Sequence, residues 1–182
     1  MVKRLCVLAT ALAMSANVAL ASTGERKDLQ VFNDIAKTVN RYSQFTIFDD
    51  VDAAVKDGVV TLTGKVTMPY KRNDIEKRVA KIDGVRQVRD QIGVLPVSQW
   101  DDELRYRIAR SIYRDSNFWN YAMANPPIHV IVEHSHVTLT GVVNSEVDRM
   151  LARSLATQFG AFSVTNNLKT DAEVREALEQ FE

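Results

Sequence analysis

A chain of 182 residues with 46% hydrophobic and 25% charged positions has the balance of a folded globular protein, one medium domain or two small ones. Its formal net charge of zero gives no global attraction toward nucleic acid. Regularly spaced apolar residues exclude disorder for the body of the chain.

The first residues are a separate object. Met1-Val2-Lys3-Arg4 is a short basic start, Leu5 to Ala16 is almost wholly apolar, and Ala19-Leu20-Ala21 offers small residues where a signal peptidase reads. The pattern predicts a signal peptide over 1–21, cleaved after Ala21. The rival reading, a membrane anchor, needs a longer apolar run. Cys6, the one cysteine, lies inside this segment and away from the cleavage site, so the mature chain is expected to carry no thiol and no lipid-modified amino terminus. The expected compartment is the periplasm. Residues 22–27 are a polar lead-in.

From Asp28, Val31, Ile35, Val39 and Tyr42 recur at the spacing of one helical face. Val51, Ala53 and Val55 alternate as a strand, and Asp57-Gly58 signals a tight hairpin. The next strand contains Val59-Val60-Thr61-Leu62-Thr63-Gly64. A helix carrying Ile75, Val79 and Ile82 follows Met68-Pro69 and ends at Gly84; Val88, Ile92 and Val94 form a last strand. Residues 96–100 read as a linker in which Trp100 packs the two halves together.

The same order then returns. Leu104, Ile108 and Ile112 repeat the first helical face, and Phe118 repeats Phe45. Ile128, Val130 and Val132 repeat the first strand. His136-Val137-Thr138-Leu139-Thr140-Gly141 matches the hexapeptide at five of six places. Leu151 and Leu155 are matched to Ile75 and Val79, Gly160 to Gly84, and Val164 and Leu168 to Val88 and Ile92. The second copy is longer over Asn120 to Pro127, and His134-Ser135 replaces Asp57-Gly58. Thr170 and Glu173 resemble a capping box ahead of a final helix over 170–182, with Val174, Ala177, Leu178 and Phe181 packing on the body.

The fold class expected is therefore α+β: two tandem αββαβ units over 28–95 and 101–169, each a three-stranded mixed sheet with two helices on one face. Gly58, Gly64, Gly84, Gly141 and Gly160 mark turns, bulges or places where a side chain would be in the way.

The doubled strand ending in glycine, followed by Gly84-Val85-Arg86-Gln87-Val88 and Gly160-Ala161-Phe162-Ser163-Val164, resembles the BON domain, a small module of secreted bacterial proteins. A signal peptide with two such units is similar to the hyperosmotically inducible periplasmic, OsmY-like family. It also resembles two-BON outer-membrane lipoproteins, whose acylated cysteine is missing. The resemblance implies peripheral association with phospholipid and support of the envelope under osmotic or other stress, not an enzyme. Asp90 departs from the family's usual asparagine, which Asn166 keeps.

No nucleophile elbow and no phosphate-cradling glycine loop occurs, so no catalytic residue and no cofactor is expected. His134 and His136 share a strand face and could hold a zinc or copper ion if Glu133 turned in, which would make a metal carrier or metal-dependent enzyme the last-ranked reading. With His129 the group is read instead as a solvated hairpin tip, since a metal site needs three or four well-placed ligands, and no metal is expected. The helix with Arg105, Arg107, Arg110 and Arg114 runs into Asn117-Phe118-Trp119-Asn120-Tyr121. Tryptophan and tyrosine favour the headgroup region, and arginine pairs with lipid phosphate. Trp119, Tyr121, Arg110 and Arg114 are thus the candidate lipid-contact residues, with an anionic phospholipid surface as partner. The competing reading pairs these arginines with Asp101, Asp102, Glu103 or Asp115. Pro69-Tyr70-Lys71-Arg72 reads as a helix start facing water. The alternative function is a periplasmic chaperone or adaptor for envelope proteins, working through a sheet edge or the cleft between units.

Overall fold

A computed structural model describes residues 28–121 and 126–179. The expected signal peptide and lead-in lie outside the described residues.

The first unit opens with α1, described over 28–40, which buries Val31, Ile35 and Val39. Strands β1 (Asp50–Lys56) and β2 (Val59–Val66) form a hairpin, paired from Lys56↔Val59 to Asp50↔Lys65. Asp57 and Gly58 both take positive φ, 52° and 74°, as a two-residue hairpin turn requires. Helix α2 (Pro69–Val79) places proline in its first turn, where a missing N–H costs nothing. The chain crosses over to β3 (Gln87–Asp90) and β4 (Gly93–Val94), which run parallel to β2. These are two pieces of the expected last strand. Asp90 makes the break: its side chain accepts the Ile92 N–H at 2.9 Å and the Arg72 Nε–H at 2.6 Å.

The second unit repeats the order with α3 (Gln99–Arg114), a 3-10 helix over Ser116–Tyr121, β5 (Ile128–Glu133), β6 (His136–Val143), α4 (Glu146–Ala156), β7 (Ser163–Asn166) and β8 (Lys169–Thr170). Again the hairpin is antiparallel and the crossover strands are parallel to the central one. Ser98 caps α3 and Ser145 caps α4 through their hydroxyls. Asn166 holds the β7–β8 break, accepting from Leu168 N and donating to the Arg149 carbonyl. Asp90 cannot donate as Asn166 does, and takes the Arg72 guanidinium instead. Arg72 and Arg149 both occupy the fourth position of their helices.

Each unit has its own core. Val60, Leu62, Val66, Ile75 and Val79 centre the first, and Ile108, Ile112, Phe118, Val130, Val137 and Leu139 the second. The α+β architecture in two tandem mixed-sheet units is as expected, with three corrections. Helix α3 starts at Gln99, inside the expected linker. Ala152 and Ala156, both at 0% exposure, hold the places of Ile75 and Val79; Leu151 and Leu155 are only partly buried at the flank of the core. The final helix α5 (Asp171–Glu179) has its capping box, Thr170 N–H to Glu173 at 2.7 Å and Glu173 N–H to Thr170 Oγ1 at 3.2 Å, but Ala177 faces solvent. The Leu178 side chain and Phe181 lie outside what is described.

Gly64 and Gly141 each sit opposite the first strand of their hairpin with φ near 113° and 112°, where a Cβ would come within 2.2 Å of the Asp50 carbonyl oxygen and 1.8 Å of that of Pro127. Close approach of the partner strand, not an overlying helix, excludes a side chain there. Gly58, Gly84 and Gly160 occupy turns at positive φ.

Candidate functional site

The apolar face of α3 turns inward and fixes what the outer face presents. Leu104, Ile108 and Ile112 are buried, so residues near the opposite side of the 3.6-residue turn face water. Trp100, Arg107 and Arg114 share one stripe at seven-residue steps, about 10 Å apart along the axis, with Arg110 beside them. Arg110 and Arg114 are exposed, and neither has an ion pair among the described residues. Arg107 is loosely paired with Glu103 at 3.8 Å and lies over the Phe159 ring, 5.3 Å from its centroid. Arg105 points the other way, buried and paired with Asp102 at 2.7 Å.

Trp119 is 72% exposed on the 3-10 helix that follows. Trp100, expected to pack between the units, is instead 68% exposed at the other end of α3. Its neighbour Asp101 turns inward. The Asp101 carboxylate accepts the His134 and Ser135 N–H groups, each at 2.8 Å, and so pins the hairpin turn and sends Trp100 outward. Asp28 does the same for Asp57 and Gly58 at 2.7 and 3.1 Å. Sequence reasoning missed these two clamps, though an aspartate three residues before the first core residue of each helix signals them.

Tyr121 is a correction. It is only 5% exposed; its hydroxyl donates to Asp148 at 2.7 Å and accepts the Asn144 N–H at 2.7 Å. Burial, reinforced by the Asp148 carboxylate, pushes its phenol up to about 12. Such a ring is a structural post and not an exposed headgroup contact. Trp119, Arg110 and Arg114 are each exposed. Of the first unit's smaller patch, Tyr70 is exposed, Lys71 is buried and Arg72 is held by Asp90.

The three histidines do not converge. His129 Nδ1 meets the Asp49 carbonyl at 2.6 Å with its ring against Phe45, His134 occupies the hairpin turn, and His136 Nδ1 meets Ser163 Oγ at 2.7 Å beside Phe162. No group of three or more potential metal-binding side chains occurs among the described residues. His129 instead belongs to the junction of the units. There Val130 N–H donates to Ile47 O at 2.7 Å, Lys65 pairs with Glu133 at 3.2 Å, and Phe48 meets Tyr106 edge-on at 4.8 Å. A cleft of about 300 Å³ between the units is lined by Asp50, Lys65, Ile131, Glu133, His134 and His136.

Fold and surface together define a duplicated αββαβ module whose exposed features are a basic-aromatic helix face and a polar inter-unit cleft. The chain belongs to the BON domain family: the family's model matches residues 33–96 and again 101–172. That family is generally non-enzymatic and is associated with phospholipid binding. Among solved structures the chain is similar to the C-terminal domain of CdsD, the structural protein of the type III secretion system of Chlamydia trachomatis. Identity there is 16% over 81% of this chain and 69% of that one, with a TM-score of 0.34. A second CdsD structure is 13% identical over 80% of this chain and 97% of that one, with a TM-score of 0.26. No curated protein matches the chain.

Proposed function

We propose that this is a periplasmic, OsmY-like tandem-BON protein that binds anionic phospholipid peripherally through the outer face of α3 and supports the envelope under stress. The observation that carries the reading is the set of Arg110, Arg114 and Trp119. Two exposed cations without ion pairs among the described residues lie on the outer face of α3, whose other side is locked into the core, and a 72% exposed indole follows them on the 3-10 helix. Trp100 and Arg107 extend this surface along α3. No helix among the described residues is long and apolar enough to cross a membrane, which suits a contact made at the surface. Basic side chains beside an anionic surface contribute about 1 kcal/mol each, and an indole adds affinity at headgroup depth.

Co-sedimentation with vesicles of phosphatidylglycerol, cardiolipin or phosphatidylcholine tests this. Pelleting should rise with the anionic fraction. Equal and negligible pelleting with all three would overturn it.

A further inference from the structure

The two units treat their edge strands differently. In a hairpin closed by a two-residue turn, the residues flanking the turn form a hydrogen-bonded pair, and alternate residues back along the strand point their N–H and C=O groups away from the partner. On β5 these outward residues are Ile128, Val130 and Val132. All three are engaged. The Tyr113 hydroxyl donates to Ile128 O at 2.6 Å and accepts from Ile128 N at 3.1 Å, Ile47 O takes the Val130 N–H, and Arg105 donates to Val132 O at 3.0 Å. On β1 the counterparts of Val130 and Val132 are Ala53 and Val55, opposite Leu62 and Val60. Among the described residues nothing hydrogen-bonds to their outward groups. Phe32 stands on α1 where Arg105 stands on α3; it has no donor and is 38% exposed.

An open edge is a template for another strand, and this one is complementary to itself. Set antiparallel to a second β1 with Ala54 facing Ala54, Ala53 of each copy exchanges backbone hydrogen bonds with Val55 of the other. In that register Asp52 falls opposite Lys56 of the second copy, twice by symmetry. Asp52, Ala54 and Lys56 are exposed on the open face of the sheet, and neither charge has an ion-pair partner among the described residues. The small alanines at the centre let the strands meet without obstruction. We propose that β1 is the site at which a second copy of this chain adds, joining the first-unit sheets of two molecules through an isologous strand pair. The lipid face on α3 belongs to the other unit and is not part of this contact.

The test is cross-linking and sedimentation of the full chain in a Cys6→Ser background. Facing residues between outward-bonded pairs have Cα atoms about 4.5 Å apart, within reach of a disulfide. Ala54→Cys should therefore give a reducible dimer on oxidation. Lys56→Cys, which faces Asp52 and not itself, should stay monomeric. In sedimentation velocity the dimer fraction should rise with concentration, be lost in Lys56→Asp, and return in the swap Asp52→Lys/Lys56→Asp. Ala53→Pro should abolish it with little change in Tm, because that N–H has no intramolecular partner to lose. A chain that stays monomeric at every concentration, or an Ala54→Cys variant that cross-links no faster than Lys56→Cys, would overturn the proposal whatever the vesicle result.

Discussion

Asp49 and Lys71 meet at 2.6 Å in the interior of the first unit, and Tyr121 and Asp148 fill the same two roles in the second with the carboxylate on the other partner and a neutral phenol facing it. Asp49 accepts the Thr67 N–H at 2.7 Å, just after β2; Tyr121 accepts the Asn144 N–H just after β6. Lys71 and Asp148 are the third residues of α2 and α4. Each pair ties the strand end to the helix that leaves it. The charged version is fully enclosed, with side chains 6% and 0% exposed. Removing one partner strands a buried charge, so Lys71→Met should cost about 3–5 kcal/mol in chemical denaturation. Tyr121→Phe leaves an amide and a carboxylate short of a partner and should cost about 1–3 kcal/mol.

Adjacent aspartates should respond to pH in opposite senses. Burial would raise the Asp49 carboxyl, but the Lys71 ammonium, the Thr67 amide and the Thr46 and Thr67 hydroxyls outweigh it and hold it below the usual range. Its stabilisation is full above the ordinary carboxylate pKa and is lost as pH falls through the depressed value. Asp50 is pushed up, first by burial and then by repulsion from Asp52, with Thr140 and then His129 only partly offsetting. Its contribution is present at low pH and is lost as pH rises through the raised value. Thermal melts from pH 3 to 8 should show Asp50→Asn gaining on the wild type as pH rises. A difference that stays constant across that range would rule out Asp50 as a source of the pH dependence.

Glycine substitutions should separate steric from conformational cost. Gly160 has φ of 75° and open space within 4 Å of where a Cβ would stand, so Gly160→Ala should lose only about 1–2 kcal/mol, the ordinary left-handed penalty. Gly64→Ala and Gly141→Ala drive Cβ into a backbone oxygen of the neighbouring strand and should lose more than about 4 kcal/mol, or fail to fold. Comparable losses at all three positions would contradict the close strand approach.

Local periodicity made most of this fold legible. Val60, Leu62, Val137 and Leu139 alternate because one sheet face is buried, and Asp57-Gly58 tolerates the positive φ of its turn, whereas His134-Ser135 takes the same left-handed conformation with no glycine to signal it. Where several elements compete for one residue, the pattern misleads. On α4 the leucines at 151 and 155 draw the eye, yet the side facing the sheet is filled by Ala152 and Ala156, with the leucines at the flank. Tyr121 carries the same amphipathic signature as Trp119; only Asn144 and Asp148, more than twenty residues away, decide that its hydroxyl points inward. The sealing of β5 by Tyr113, Arg105 and Ile47 is likewise tertiary. No local pattern marks Ile47, yet its carbonyl belongs to the other unit's edge.

Trp119 and Tyr121, two residues apart, should therefore give opposite phenotypes. Trp119→Ala removes an exposed ring that holds no core contact, so the melting temperature should stay within about 2 °C, in line with surface substitutions generally, while anionic vesicle binding falls. Tyr121→Phe should do the reverse, lowering stability while the folded fraction binds vesicles as before. Arg110→Glu and Arg114→Glu should each weaken binding by at least about fivefold, the equivalent of about 1 kcal/mol per basic side chain near an anionic surface. Their effect should shrink as salt rises and screens the surface, whereas the Trp119→Ala deficit should persist, since apolar insertion does not depend on counter-ions. Arg105→Glu makes the same change of charge on the buried side of α3. If it weakened binding with the same salt dependence and no loss of fold, the outer stripe would not be the contact. The expected result is instead a destabilised protein, because Arg105 closes the β5 edge at Val132.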